Sequence, residues 1–160
     1  MNKAFLLTGS NLGDRRAFLQ QAVQMVEEQC GKVVNRSALY ETAAWGYTNQ
    51  PSFYNQALEL HTPFTAEQLM QALLDIEKAM GRIRMEKLGP RVIDLDILLF
   101  NDAIINSPLV TVPHPHLTER RFALTALDEI AGNLVHPITH TTIQQLLIHC
   151  SDTLDVYKIS

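Results

Sequence analysis

The sequence has few of the features that mark secreted, membrane-bound or nucleic-acid-coating proteins. Its 160 residues include only two cysteines, Cys30 and Cys150, with no C-x-x-C or zinc-type spacing, so we expect reduced thiols. No segment approaches the ~18 to 20 consecutive apolar residues of a membrane helix, and the N-terminus lacks the apolar stretch of a signal peptide. The formal net charge of -4 argues against a protein that coats nucleic acid. We therefore expect a cytoplasmic protein with neither a membrane nor a nucleic-acid partner.

The chain is long enough to bury one core. With 160 residues and 46% apolar composition, it predicts a single domain over residues 1–160 rather than two domains. We expect this domain to be a monomer.

The basic residues are unevenly distributed. Four of the thirteen lysines and arginines, Arg82, Arg84, Lys87 and Arg91, fall within ten residues, and Arg120 is followed directly by Arg121. A local basic cluster on an acidic protein favours a small anionic ligand, although a solvated charged loop is the alternative for any one of these side chains.

The spacing of apolar residues predicts a β-α-β-β-α-β order of elements. A capping box at Thr65 and Gln68 starts the second helix, and Gly81 ends it. The predicted strands cover residues 3–8, 32–42, 54–62 and 92–100, and the first helix covers residues 15–28. This order predicts an α+β fold with a ferredoxin-like antiparallel sheet and helices on one face. Beyond it we expect a C-terminal hairpin or edge strand in 101–107, a proline-rich loop, a helix over residues 122–131 and a short helix near Thr142.

The strand GPRVIDLDILLF carries two acids in an apolar run. Asp94 and Asp96 emerge on the same face, roughly 6 to 7 Å apart along the backbone, because side chains alternate along a strand at ~3.3 Å per residue. Unpaired carboxylates are costly to bury, so a cation must lie close to them. The arginine cluster, Mg²⁺, or both together would meet this need, and the combination of all three is typical of phosphoryl-group chemistry.

Other segments suggest ligand contacts with a structural alternative beside each. His114 and His116 in VPHPH favour a hydrogen bond to phosphate over zinc, since no third zinc ligand has a convincing spacing, and an ordinary surface loop is the structural alternative. The aromatic residues Trp45, Tyr47, Phe53 and Phe122 would either pack the core or stack on a flat heterocycle whose edge Asn55 reads. GSNLGD lacks the residues of a phosphate loop and predicts a tight turn.

Taken in order, GSNLGD, YET, F-x-N, GR-x-R, GPR-x-IDLDIL and VPHP with ERRF resemble the hydroxymethyl-dihydropterin pyrophosphokinases of folate biosynthesis. The resemblance covers most of the chain. It implies transfer of pyrophosphate from ATP to the hydroxymethyl group of a reduced pterin, with AMP as the other product. It also implies two Mg²⁺ ions held by Asp94 and Asp96.

The resemblance assigns the remaining site residues. Arg82 and Arg91 would act in catalysis with the two aspartates. The nucleotide and its phosphates would contact Glu77, Arg82, Arg84, Arg91, Thr111, His114 and Arg120. The pterin would contact Thr42, Trp45, Gly46, Phe53, Asn55 and Phe122.

The sequence departs from the family pattern at Leu88 and Leu109, where some members carry a tryptophan and an arginine. Two other functions stay open on the residues alone. A nucleotidyl transferase would attack the α-phosphorus of ATP and release pyrophosphate, and a ligand sensor would bind without consuming ATP.

Overall fold

The structure, a computed structural model, describes residues 1–43, 50–82 and 91–159. Eight strands and four α-helices lie in these ranges, together with a 3₁₀ helix at Leu117–Glu119. The strands are β1 (Asn2–Ser10), β2 (Lys32–Arg36), β3 (Tyr40–Thr42), β4 (Phe53–Thr62), β5 (Asp94–Phe100), β6 (Ile105–Asn106), β7 (Thr111–Val112) and β8 (Val156–Lys158). The helices are α1 (Arg15–Gln29), α2 (Ala66–Ala79), α3 (Arg121–Ala131) and α4 (Ile143–Ile148).

Six of the strands form one antiparallel sheet. Its order is β5-β1-β4-β3-β8, and β2 pairs with β4 beside β3. Long β1 and β4 run along each other from Asn2 opposite Thr62 to Ser10 opposite Tyr54. This register places the end of β1 beside the start of β4, and β5 also begins at that edge, because Gly9 pairs with Asp94. The three adjacent strands β5, β1 and β4 therefore converge where the two acids enter the sheet.

The sheet has an apolar core on each face. Helices α1 and α2 cover the first face, where Leu19, Val26, Leu69, Leu73 and Ile76 are buried. Helices α3 and α4 cover the second face with another set of buried apolar side chains, including Leu124, Leu127 and Ile143. Burial at ~25 cal/mol per Å² of apolar surface makes both interfaces the main source of stability.

The α+β prediction and its ferredoxin-like order of elements are confirmed. The capping box at Thr65 is present, with its hydroxyl accepting from the Gln68 amide and the Gln68 side chain accepting in return. Helices α1 and α2 cover one face as predicted, and the C-terminal helices α3 and α4, also expected from the sequence, cover the other face. Within the described ranges, no helix is long and apolar enough to cross a membrane.

The predicted hairpin or edge strand in 101–107 is present as β6, which pairs with β7 in a separate hairpin. Two other details of the predicted strands were wrong. The strand predicted over 32–42 is two strands, β2 and β3. The interruption lies at Ser37, whose backbone N–H donates to the Ala57 carbonyl while its side-chain hydroxyl, rather than a backbone carbonyl, accepts from the Ala57 N–H. β1 continues through Gly9 to Ser10, so the first part of GSNLGD is strand rather than turn.

Candidate active site

A pocket opens on the second face, at the edge where β1, β4 and β5 converge. Strand β3 and the start of α3 close its other sides. Acidic, basic, amide and aromatic side chains all line this one cavity. Its lining consists of Leu7, Gly9, Thr42, Ala43, Phe53, Asn55, Arg91, Asp94, Asp96, Arg120 and Phe122.

The two acids lie on the pocket face of β5, as their spacing predicts. Asp94 and Asp96 are partly exposed, whereas Leu95 and Ile97 between and after them are buried in the opposite core. Asp94 is paired with two arginines. The distance from Arg82 Nη1 to Asp94 Oδ1 is 2.7 Å, and that from Arg91 Nη1 to Asp94 Oδ2 is 3.4 Å. Part of the predicted arginine cluster thus neutralises one of the two acids.

Glu77 holds this arrangement from beneath the sheet. It is a buried acid of α2, and its Oε2 accepts a hydrogen bond of 2.7 Å from the Leu95 backbone amide, between the two aspartates. The same oxygen lies 2.9 Å from Arg82 Nη1. Arg82 is itself only 8% exposed and bridges Glu77 and Asp94. In this arrangement Glu77 fixes β5 and Arg82 and does not line the pocket.

The surroundings of Asp96 disfavour its charged form. Burial, followed by the charge of Asp94, raises the pKa of Asp96 to about 8, and Arg120 opposes the rise. A cation bound beside this carboxyl group would favour its ionised form.

The acid pair has the chemistry of a magnesium site. Asp94 and Asp96 offer hard oxygen ligands on one face of one strand, open to the same pocket. No cluster of three or more His, Cys, Asp or Glu side chains suited to a metal occurs in the described ranges. Mg²⁺ is usually held by one or two carboxylates, with water and substrate phosphates as further ligands. The donor set therefore fits Mg²⁺ bound together with a phosphate substrate.

The far side of the pocket is suited to a flat, polar ring. Phe53 of β4 and Phe122 of α3 both line it, and each has an arginine at its face, with Arg91 Cζ 5.7 Å from the Phe53 centroid and Arg120 Cζ 5.9 Å from the Phe122 centroid. Thr42 Oγ1 is buried and has no hydrogen-bond partner among the described residues. Such a hydroxyl would gain a hydrogen bond from a ligand.

Asn55 is held in a fixed orientation at the same place. Its Nδ2 donates 3.0 Å to the Thr8 backbone carbonyl. This packing requires glycine opposite, because a Cβ on Gly9 would lie 2.5 Å from Asn55 Nδ2. Gly9 was missed at the sequence level, since its neighbour in space lies on another strand.

A second cavity adjoins the pocket through Asp96. It has an apolar wall, and Thr111 and His114 lie on its polar side. Its lining consists of Met70, Leu74, Asp96, Ile97, Leu109, Val110, Thr111, His114 and Pro115. Burial, helped by the charges of Arg120 and His116, lowers the pKa of His114 to about 4, so its ring is neutral at physiological pH. Of the residues that the resemblance assigns to the nucleotide, Arg91 and Arg120 line the first pocket, and Thr111 and His114 line this second cavity.

Asn11 is a further polar residue of the site that sequence reasoning missed. Its buried amide accepts 2.8 Å from the Arg91 backbone N–H and donates to Gln50 Oε1 and the Pro51 carbonyl, at 2.8 and 3.0 Å. One side chain thus links the segments that precede β5 and β4. Its partners are 39 to 80 residues away, so only the fold reveals them.

Three of the predicted site residues, Trp45, Gly46 and Arg84, lie outside the described ranges, as does Leu88. The remaining ones line the two cavities, except Glu77 and Arg82, which lie beneath the acid pair.

Comparison with known proteins gives close sequence relatives. The family model described as 7,8-dihydro-6-hydroxymethylpterin-pyrophosphokinase (HPPK) matches residues 5–132. A 2-amino-4-hydroxy-6-hydroxymethyldihydropteridine pyrophosphokinase of Aquifex aeolicus is 38% identical over 145 residues, which is 91% of this chain and 90% of that protein. The folic acid synthesis protein fol1 of Pneumocystis carinii is 41% identical over 87% of this chain but only 19% of its own length. The chain thus spans about a fifth of the fungal relatives it matches.

Solved structures support the fold. The HPPK-DHPS of Plasmodium falciparum, crystallised with pterin and p-hydroxybenzoate, superimposes with a TM-score of 0.72 at 21% identity. The superposition covers 92% of this chain and 42% of that chain. At this identity the likeness establishes the architecture and no more.

Proposed function

The chain belongs to the 7,8-dihydro-6-hydroxymethylpterin-pyrophosphokinase family, and from this premise we propose that it transfers pyrophosphate from ATP to the hydroxymethyl group of 6-hydroxymethyl-7,8-dihydropterin, a step of folate biosynthesis. The observation that carries the proposal is the pocket in which Asp94, Asp96 and Arg91 face Phe53, Asn55 and Phe122. It combines groups suited to phosphate and metal with groups suited to a flat heterocycle.

We propose that the pterin lies between Phe53 and Phe122. Aromatic rings offer large, flat contact surfaces, and the polar edge of the pterin would reach Asn55 and the Thr42 hydroxyl. Trp45 and Gly46 belong to the same proposed pterin site. The hydroxymethyl group would then point along the pocket toward the acid pair, which shares that cavity.

The ATP phosphates would lie over the acids, and the nucleoside would extend into the second cavity beside Thr111 and His114. We propose that two Mg²⁺ ions bind to Asp94, Asp96 and the phosphates, where they would neutralise charge on the attacking and leaving oxygens. Arginine side chains are well suited to phosphate because their planar donors bind two oxygens at once. We assign this role to Arg82, Arg84, Arg91 and Arg120, with Glu77 orienting Arg82.

The reaction is a displacement at the β-phosphorus. The pterin hydroxyl oxygen forms a bond to that phosphorus, and the bond to the oxygen bridging the α- and β-phosphates breaks. AMP leaves with the bridging oxygen, and the hydroxyl proton passes to solvent or to Asp96. Little covalent work falls to the protein, so its contribution is alignment and neutralisation of charge.

Product analysis tests the function. After incubation with ATP, Mg²⁺ and 6-hydroxymethyl-7,8-dihydropterin, the pterin should gain the mass of a diphosphate group, and AMP should accumulate in equal amount. Free pyrophosphate with a nucleotidylated pterin would show attack at the α-phosphorus and would overturn the proposal. An unchanged pterin with intact ATP would also overturn it.

We further propose that residues 1–160 act as one catalytic domain, as a monomer in the cytoplasm, where ATP is available. Sedimentation of the purified chain with and without substrates measures the oligomeric state.

A further inference from the structure

A polar network lies on the opposite face of the sheet from the pocket, at the first residue of α1. Arg15 Nη1 donates to the Ser52 carbonyl at 3.0 Å and to Ser52 Oγ at 2.9 Å, and it lies 3.3 Å from Glu41 Oε2. Ser52 Oγ in turn donates 2.7 Å to the same carboxylate oxygen. The guanidinium also stacks on Tyr54, with Cζ 3.8 Å from the ring centroid.

This network spans the base of the chain segment that joins β3 to β4. Glu41 pairs with Tyr54 across the two strands, and the next pair is Thr42 with Phe53. Side chains alternate between faces, so Glu41 and Tyr54 face α1 while Thr42 and Phe53 face the pocket. Arg15 therefore ties the entry of the segment to its exit, directly behind two residues that line the pocket.

We propose that Arg15 is a positioning residue for the pterin. It acts through Glu41, Ser52 and Tyr54, whose backbones set the separation of Thr42 from Phe53. We call the network of Arg15, Glu41, Ser52 and Tyr54 the brace. The inference rests on the proposed function for the identity of the ligand, whereas the brace is defined by these contacts alone. The contacts of Arg15 with Glu41, Ser52 and Tyr54 lie on the face away from the acid pair, so we expect its effect to be confined to one of the two substrates.

The geometry explains why arginine is needed. Its planar guanidinium reaches a carbonyl, a hydroxyl and a carboxylate together while one face rests on an aromatic ring. A lysine ammonium has the charge but neither the planar donors nor the stacking surface. Small displacements of a binding group can cost about a hundredfold in rate when alignment limits the reaction.

The test compares Arg15→Gln with Arg16→Gln, which makes the same change of charge at the adjacent, exposed position. Calorimetry with 6-hydroxymethylpterin, in the presence of Mg²⁺ and a non-hydrolysable ATP analogue, measures pterin affinity without turnover. We expect Arg15→Gln to weaken pterin binding by about tenfold and to leave the affinity for the ATP analogue within about twofold. Arg16→Gln should change neither.

A double-mutant cycle with Glu41→Gln tests whether Arg15 acts through the brace. Residues of one hydrogen-bond network give non-additive effects. The variant that carries both changes should therefore bind the pterin about as weakly as whichever single variant, Arg15→Gln or Glu41→Gln, has the lower pterin affinity. Additive losses in the cycle would contradict the inference. Should Arg15→Gln fail to fold, Arg15→Lys and Ser52→Ala each remove part of the brace, and either must weaken pterin binding selectively.

Two outcomes separate this inference from the proposed function. If Arg15→Gln binds the pterin and the ATP analogue as the unaltered chain does, and the unaltered chain makes AMP, Arg15 has no positioning role and the function stands. If the unaltered chain binds the pterin but makes no AMP, the function is wrong, while selective weakening by Arg15→Gln still supports the brace. Equal weakening for both ligands would make Arg15 a general stabilising residue and overturn the inference.

Discussion

One face of the main sheet packs against α1 and α2, and the other packs against α3 and α4. On the first face the buried side chains along the helices are apolar, with Glu77 as the charged exception. On the second face α3 begins beside the pocket, where acids, arginines and amides lie next to apolar side chains such as Leu7 and Phe122. The same sheet therefore supports two environments of different polarity.

The difference arises because alternate side chains of one strand point to opposite faces, so some residues of the strand stabilise the core while their neighbours line the pocket. In β5, Leu95 and Ile97 pack into the first core while Asp94 and Asp96 face the pocket. A continuous helix-covered face holds the strand in place, and the opposite face can then carry charges that are costly to bury. Glu77 connects the two environments, because it reaches the β5 backbone from the helix side.

The largest expected effect comes from removing an acid on the pocket face. Asp94→Ala and Asp96→Ala should each lower kcat by about a thousandfold or more, since under the proposed function they remove charge that would hold metal and phosphate in the transition state. Steady-state AMP formation at saturating Mg²⁺ measures this loss. A variant with near-normal activity and unchanged Mg²⁺ dependence would show that the acid has no role in catalysis.

On the opposite face, the corresponding change should affect stability and not activity. Leu60 is fully buried in the first core and lies five residues along β4 from Asn55, about 16 Å at strand spacing. Leu60→Ala should reduce the free energy of unfolding by about 2 to 5 kcal/mol through lost burial and a cavity. Urea denaturation measures this loss of stability, and kcat at 20 °C should stay within about twofold of the value for the unaltered chain.

A kcat loss for Leu60→Ala comparable to that of the aspartate variants would mean that the two faces are not functionally separate.

Arg91 contacts both parts of the pocket, the acid pair through Asp94 and the aromatic side through Phe53. Arg91→Ala should lower kcat by about a hundredfold, the usual cost of one positioned donor to developing charge. The pterin KM should rise as well, because Arg91 also lies against Phe53. Initial rates with each substrate varied in turn separate the two effects. An unchanged kcat would confine Arg91 to pairing with Asp94.

Local patterns account for most of the fold. The capping box at Thr65 and the alternation of Leu95 with the two acids depend on neighbours within a few residues, so both are readable in the sequence. The split at Ser37 and the pairing of β8 with β3 depend on distant partners. No local pattern reveals a three-residue strand whose partner lies more than a hundred residues away.

The site divides in the same way. The position of both acids on one face follows from their spacing, and the nearby arginines suggest the ion pairs found at Asp94. The buried bond from the Leu95 amide to Glu77 and the links from Asn11 to Arg91 and Pro51 could not be predicted, because they join elements that only the packed fold brings together.

The smallest expected effect concerns the far end of the second face, where His136 follows α3. Its ring is buried and accepts from the Ile138 and Thr139 amides at 3.2 Å each. Burial, with the charge of His140, lowers the pKa of His136 below its ordinary value of 6.5.

The unfolded chain therefore binds a proton at His136 that the folded chain does not, once the pH falls below about 6.5. The stabilisation is fully present above that pH and is lost as the pH falls toward the folded value. His136→Asn, which keeps an acceptor for the two amides but cannot titrate, should flatten the pH dependence of unfolding between pH 7 and 5. His149→Asn, at the exposed end of α4, is the control and should retain it. Equal slopes in urea denaturation of both variants would show that His136 does not carry the dependence, whereas a slope change accompanied by altered kcat would mean that the two ends of this face are coupled.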